Sequence, residues 1–517
     1  MSQPALVIER PLRDVGRWVL FSTILASSMA FIDGSALNVA LPAVQSSLRA
    51  SGAQLLWVVN AYLLMLAALI LVGGALGDKL GRKRVFMAGI SLFVVASIGC
   101  GLAPTIEVLI WARLVEGIGG ALMIPGSLAI ITAFFDPTAR GRAIGTWSAV
   151  TTLVTVIGPL LGGFLANAGL WRGVFLINVP LGILALLILQ SQVPESQSDD
   201  TTGSIDVLGA ALQTLGLAGL TYGFISAPDA GFANPVVAIS LAGGVVALVA
   251  FVFVEIRSRR PIMPLRLFNS CTFQGTNLLT LFLYGALSVS LFFQSLNLVQ
   301  VQGYSLALAG VVFSPFAVML MGLSRWAGGL ADKYGPRPLL VGGPLLAGTG
   351  FLWFAMQGVT AGPSQYWITF FPAIVLLGAG MGLTVAPLST AVMNSAATHL
   401  AGSASGVNNA VSRAAGVLAI AVVGAAALTL FSHSLGLRTA ALGLPPAAQA
   451  ALQSEAGSLG AAVVPPEVPP AAVDAVDAAI KLAFIDAYRA VMLVSTALAW
   501  LAAAMAYWLV ERNPAPG

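Results

Sequence analysis

From Trp18 to Val510 the chain alternates long apolar stretches with short polar breaks. Each stretch is near the ~20 residues that a helix needs to cross a ~30 Å hydrocarbon core. The pattern predicts fourteen spanning helices, at 18–42, 53–76, 84–103, 107–132, 142–168, 173–190, 205–225, 233–255, 272–298, 307–331, 338–358, 367–394, 404–431 and 484–510. The expected fold class is an all-α polytopic membrane protein. Glycine and proline stand inside the stretches as well as between them, which spanning helices tolerate. The first run follows Arg10, Arg13 and Arg17 and continues through Leu41 without a cleavage signature, so it reads as a retained first helix.

Composition agrees with the pattern. The 517 residues are 58% hydrophobic and 9% charged, against about 25% charged in soluble proteins. Two cysteines, Cys100 and Cys271, and two histidines, His399 and His433, give neither a disulfide framework nor metal-ligand spacing. No cofactor and no metal are expected, and nothing supports nucleic-acid binding. The formal charge of +4 is topological. Alternate loops hold Lys79/Arg82/Lys83/Arg84, Arg140/Arg142, Arg257/Arg259/Arg260/Arg266 and Lys333/Arg337, and the positive-inside rule puts these loops and both termini in the cytoplasm. The acidic stretch PESQSDD at 194–200 is on the same side, where acids count little. Scarce lysine and abundant alanine suggest a GC-rich bacterial source and hence the bacterial inner membrane.

The chain also matches itself. GALGDKLGRKR (74–84) and GGLADKYGPRP (328–338) align Gly74 with Gly328, Asp78 with Asp332 and Gly81 with Gly335, a spacing of 254 residues. Six helices need only about 200 residues, so the spacing leaves room for one extra helix pair between two six-helix halves. The expected organisation is a cytoplasmic N-terminus (1–17), an N-terminal bundle (18–190), a linker with two additional helices (191–271), a C-terminal bundle (272–510) with an extracytoplasmic loop (432–483), and a cytoplasmic C-terminus (511–517). Paired six-helix repeats around a midplane site are a recurring transporter plan.

With these stretches in order the sequence resembles the major facilitator superfamily, specifically its fourteen-spanner drug:proton antiporters. DGSALNVALP resembles the family's first-helix motif, GALGDKLGRKR the loop after helix 2, RLVEGIGGALMIPG (113–126) the helix-4 motif and GPLLGG (158–163) the antiporter motif of helix 5. WRGVFLINVPLG (171–182) and LVQVQGYSLALAG (298–310) are similar to further recurrent stretches. The resemblance covers nearly the whole chain.

Asp33 lies about fifteen residues into helix 1, where an acid costs about 2.5 to 3.5 kcal/mol and should face protein or a wet cavity. It reads either as a proton-coupled site or as a structural acid bonded to Asn38, Ser35 or another helix. The resemblance implies coupling or substrate binding for Asp33 and assistance to proton movement for Arg113. Glu116 departs from the family's usual glutamine and is either a counter-ion of Arg113 or a second proton carrier. The resemblance implies a conformational latch at Gly74, Asp78, Gly81 and Arg82, with a weaker copy at Asp332 and Arg337. Gly158, Pro159, Gly162 and Gly163 are either the antiporter seal or a packing kink. Candidate cavity-wall residues are Asp33, Asn38, Asn60, Tyr62, Trp147, Thr151, Asn277, Tyr284, Phe292, Gln294 and Met381. Arg413 reads as a gate partner or a snorkelling side chain, and 432–483 as a cap over the outer mouth or a tether.

The leading expectation is a monomeric, proton-driven antiporter that exports small lipophilic and cationic drugs through the lipid bilayer by alternating access. Export of an endogenous amphiphile is the alternative, and a non-transporting sensor or scaffold a more distant one. No GxxxxGK[ST], GxSxG or HExxH stretch occurs, so neither an ATP-driven pump nor an enzyme is expected.

Overall fold

The computed structural model describes residues 12–135, 137–196, 206–258, 261, 263–396 and 400–511. Among them are fourteen helices long and apolar enough to span a membrane. These are α1 Val15–Leu48, α2 Gly52–Leu80, α3 Arg82–Gly101, α4 Ile106–Phe134, α5 Arg142–Asn167, α6 Gly173–Gln192 and α7 Val207–Ala230. They continue as α8 Pro235–Arg257, α9 Cys271–Val301, α10 Leu306–Ala331, α11 Arg337–Ala355, α12 Phe371–Asn394, α13 Ser403–Ala440 and α14 Pro470–Leu509.

Local chemistry sets where several helices begin. Ser51 and Gln54 form a reciprocal capping box on α2, Thr105 caps α4, and Asn234 with Pro235 opens α8. Each side chain takes up a backbone donor that has no partner within its own helix. The turns after α2 and α10 both hinge on a left-handed glycine, Gly81 at φ 107° and Gly335 at φ 80°. The repeated loop motif is thus repeated in backbone conformation, and only glycine enters that region without strain.

The helices pack as two six-helix bundles, α1–α6 and α9–α14, with α7 and α8 outside them. In the first bundle α4 lies between α2 and α3, and α1 packs on α4, α5 and α6. Glycines allow this closeness: a methyl added at Gly117 would be 2.5 Å from the Tyr62 carbonyl oxygen, and one at Gly119 2.6 Å from the Phe93 nitrogen. Membrane helices associate through such close small-residue contacts, since lipid supplies no hydrophobic drive between them. The bundles meet along two seams, α2 with α13 and α5 with α10, which the 254-residue repeat relates to one another. α7 lies over the α2/α13 seam, where Leu217 joins Leu64, Ala67 and Val417 and Gln213 donates to the Ala67 carbonyl at 3.2 Å. α8 packs on α7 and exposes Ile239, Val246 and Phe253.

The start of α1 and the end of α14 lie on one side of the molecule, here the terminal face; Glu511 donates its backbone N–H to Thr272 at the start of α9. At the opposite, distal face the structure departs from the sequence reading. α13 runs on to Ala440 and α14 begins at Pro470, so much of 432–483 is helical. Hydropathy hid these extensions because their polar residues are paired: Arg438 with Asp486 at 2.7 Å and Lys481 with Asp477 at 2.7 Å. Between them a short helix, Pro446–Glu455, leads into a tight 3-10 turn, Ala456–Ala461. The turn spans the two halves. Gln45 at the end of α1 donates to the Ser458 carbonyl at 2.9 Å, and Gln300 of α9 donates to Gln45 at 2.7 Å. Leu459 is fully buried there at φ 55°. A branched residue in that region costs about 1–3 kcal/mol and is held only by well-packed surroundings.

Candidate functional site

Asp33, Arg113 and Glu116 form one ion cluster inside the first bundle. Arg113 Nη1 is 2.6 Å from Asp33 Oδ2 and 2.7 Å from Glu116 Oε2, with all three side chains at most 1% exposed. The 113/116 spacing puts both side chains on one face of α4, and the close packing of α4 turns that face toward α1. Arg113 also donates from Nε to the Val58 carbonyl at 3.2 Å and stacks over the Tyr62 ring at 4.4 Å. Glu116 accepts from Ser97 at 2.6 Å and from the Cys100 thiol at 3.4 Å, and Asn178 donates to Ser97 at 3.2 Å. Asp33 Oδ1 and Asn178 Oδ1 have no partner among the described residues. Buried oxygens in that condition suit a water or a proton.

Neither Asn38 nor Ser35 bonds Asp33. Asn38 donates to the Gly34 carbonyl and Ser35 to that of Phe31, each within its own helix. The sequence gives Ser97, Cys100 and Asn178 no role in the site, since each is one polar or thiol position in an apolar helix with no sign of its partner.

A separate cavity of ≈ 320 Å³ lies between the bundles, reached by α1, α5, α9, α10 and α12. Its wall is mostly apolar, including Phe31, Pro159, Leu291 and Phe316, with Asn38, Thr155 and Tyr284 among its few polar groups. Among the described residues no charged side chain lines it. Phe31, Ser35 and Asn38 share one helix face, whereas Asp33, two residues on from Phe31, points about 200° around the helix. The ion cluster therefore backs onto α1 from behind while the cavity meets its front.

Of the expected wall residues, Asn38, Tyr284 and Met381 line this cavity. The others lie elsewhere. Asp33 is in the ion cluster and Tyr62 beneath Arg113. Trp147 donates to Ser27 at 3.0 Å, and Thr151 bonds back to the Trp147 carbonyl. Asn277 accepts from Asn408 at 3.2 Å, and Phe292 is buried against Phe293. Gln294 accepts from the Tyr488 hydroxyl. Asn60 is fully buried, with neither side-chain polar atom partnered among the described residues.

In α5 the glycines of GPLLGG face two ways. Gly158 and Gly162 lie against Ser35 and Ala36 of α1, and Gly163 against Leu306 and Gly310 of α10. Pro159, between these contacts, supplies no backbone N–H to the helix and lines the cavity. At the terminal face Arg82 grips Asp78 at 2.8 Å, and Gly74 lies against Pro125. Glu195, from the acidic stretch, accepts from the backbone of Lys83 at 2.9 Å and Arg84 at 3.1 Å and so caps α3. Sequence reasoning gave that acid no role. Arg337 stacks over Tyr507 at 4.6 Å. The side chains of Asp332, Arg140, Arg259, Arg260 and His399, and residues 197–200, lie outside the described residues.

Two helical bundles around a neutral central cavity, with a buried ion cluster behind its wall, define a membrane transporter and not an enzyme. The Major Facilitator Superfamily profile matches residues 23–420, and the chain belongs to that family. It is 32% identical over 421 residues to the multidrug resistance protein Stp of Mycobacterium tuberculosis, covering 80% of this chain and 76% of that one. It is 36% identical to the cephamycin export protein CmcT of Amycolatopsis lactamdurans (77% and 82% covered). The puromycin resistance protein pur8 of Streptomyces alboniger is 34% identical (81% and 84%). Among solved structures, a bacterial homolog of the human lysosomal transporter Spinster aligns at a TM-score of 0.65 with 21% identity, over 98% of this chain and 100% of that one. That last likeness speaks for the fold.

Proposed function

We propose that this protein is a proton-coupled antiporter that exports lipophilic small molecules from the bacterial cytoplasm by alternating access. The family and its drug-exporting relatives support the export of small molecules. The observation that carries the coupling is the pair of carboxylates on one guanidinium nitrogen. With Asp33, Glu116 and Arg113 all ionised the cluster holds one uncompensated negative charge away from water, and a single proton neutralises it. Substrate in the cavity presses on the front of α1, and the proton sits on its back. Movement of α1 against α4 then links the two without direct contact between substrate and proton.

In this reading residues 18–190 and 272–510 rock about the two seams, and the proton gradient is the only energy source. The terminal face, with its lysines and arginines, is cytoplasmic. The state seen is closed at the distal face, where Gly163 meets α10 and the 456–461 turn bridges α1 and α9. The Asp78–Arg82 turn, with its counterpart at Asp332 and Arg337, is the cytoplasmic latch of the opposite state. The expected preference for cations rested on Asp33, which faces away from the cavity, so the proposal names lipophilic substrates without a required positive charge.

The test is drug uptake into inside-out vesicles with an imposed pH gradient. Wild type should accumulate substrate only with the gradient, whereas Asp33→Asn and Glu116→Gln should still bind substrate but lose gradient-driven accumulation. Undiminished accumulation in Asp33→Asn would remove it from coupling.

A further inference from the structure

Arg413 is a charged residue inside a membrane span that the ion cluster does not use. It lies about ten residues inside α13, some 15 Å along the helix from its terminal-face end, and is half-buried. Among the described residues no carboxylate or carbonyl is paired with it. An ionisable side chain inside a membrane span is costly, and an unmatched one there marks a functional position.

Helix register fixes its place. Asn408, five residues before it, donates to Thr280 of α9 at 2.8 Å and to Asn277 at 3.2 Å. Gly416, one turn after it, faces Ser288, whose hydroxyl would be 3.0 Å from an added methyl. Arg413 is therefore level with Tyr284, midway between these contacts, and Tyr284 lines the cavity. α9, which carries Tyr284, and α2, which carries Tyr62, both pack against α13. Tyr284 lies nearer the terminal face than Leu291 and Ser295 do along α9, so Arg413, which is not itself part of the wall, is level with the terminal-face end of the cavity.

We infer that Arg413, with the Tyr284 hydroxyl, anchors the acidic group of an amphiphilic anion whose apolar body fills the central cavity. A guanidinium presents a planar fork of donors that matches a carboxylate with two parallel bonds. Among the described residues the cavity wall has no acid to repel an anion or to satisfy the arginine, and Asp33 and Glu116 are both committed to Arg113. An arginine serving only as a gate partner would act on every substrate alike; an anchor acts on those that carry an acid. The inference rests on the proposed export function in taking the cavity for the transport site.

The probes are N-dansyl-phenylalanine and its methyl ester, which share one lipophilic body and differ in the carboxylate. Binding to purified protein is followed by dansyl fluorescence, and gradient-driven uptake is measured separately in proteoliposomes. Wild type should bind the acid more tightly than the ester. Arg413→Gln should collapse that preference by about tenfold or more, the worth of a charge-assisted pair; Arg413→Lys should retain part of it, and Tyr284→Phe should reduce it less. Equal binding of acid and ester by wild type, or a parallel loss of both in Arg413→Gln, overturns the anchor. Acid-selective binding without gradient-driven uptake would overturn the proton-coupled reading and leave the anchor standing.

Discussion

Removing the two carboxylates of the ion cluster one at a time and then together should give strongly non-additive losses of stability. In Asp33→Asn the Arg113 guanidinium keeps Glu116 at 2.7 Å, and in Glu116→Gln it keeps Asp33 at 2.6 Å. Each single variant thus retains a neutral one-to-one pair and should lose little. The double variant leaves a fully buried cation with no counter-ion and only neutral neighbours, the Val58 carbonyl, the Tyr62 and Phe175 rings and the two introduced carboxamides. Stripping a buried charge of its last counter-ion costs about 3–5 kcal/mol, whereas two independent sites would add within about 0.5 kcal/mol. Thermal unfolding of purified protein in one detergent, followed by tryptophan fluorescence, reads the four midpoints. Singles close to wild type with a double far below their sum support a shared cation. A double variant whose loss equals the sum of the singles refutes the charge accounting.

A second expectation concerns the distal turn. The Cβ of Ser51 is 3.9 Å from a Cβ built at Gly457, within the range a disulfide spans. Ser51→Cys with Gly457→Cys, in a Cys271→Ser background, should halt transport on oxidation and recover on reduction; full transport by the oxidised protein would show that the turn never leaves α2. Gly117→Val would drive a side chain into the Tyr62 carbonyl 2.5 Å away and part α4 from α2, so the variant should fail to accumulate as a monodisperse species in size-exclusion chromatography. Glu195→Ala removes the acceptor of two α3 backbone donors and should cost about 1 kcal/mol, as the loss of a helix cap does, measurable as a lower unfolding midpoint.

Hydropathy alone located the fourteen spans because the bilayer asks for length and apolarity and little else. It failed where a helix leaves the bilayer, as at α13 and α14, since Asp477, Lys481 and Asp486 are tolerated by pairing that a linear scan does not see. The 74/328 self-match correctly announced two equivalent turns, visible in the left-handed Gly81 and Gly335. Asp33 could be singled out as an expensive acid, but its partner could not, because Arg113 is 80 residues away and reaches it only through the glycine packing of α4. Cavity residues were the least legible. Helical spacing separates the Phe31/Ser35/Asn38 face from Asp33, yet which face meets the other bundle depends on how α1, α5 and α10 come together. Trp147 and Gln294 read as candidate wall residues in sequence; in the structure they bond to Ser27 and Tyr488 and are not among the residues that line the cavity.

The central claim is that the Asp33–Arg113–Glu116 cluster carries a proton that is exchanged for substrate across α1. Proton release on substrate binding, followed with a pH indicator in weakly buffered detergent solution, tests it without any membrane gradient. Wild type should release a proton when a saturating lipophilic substrate is added, and Asp33→Asn should bind the same substrate and release none. Binding without proton release in wild type, or undiminished release in Asp33→Asn, would contradict the account.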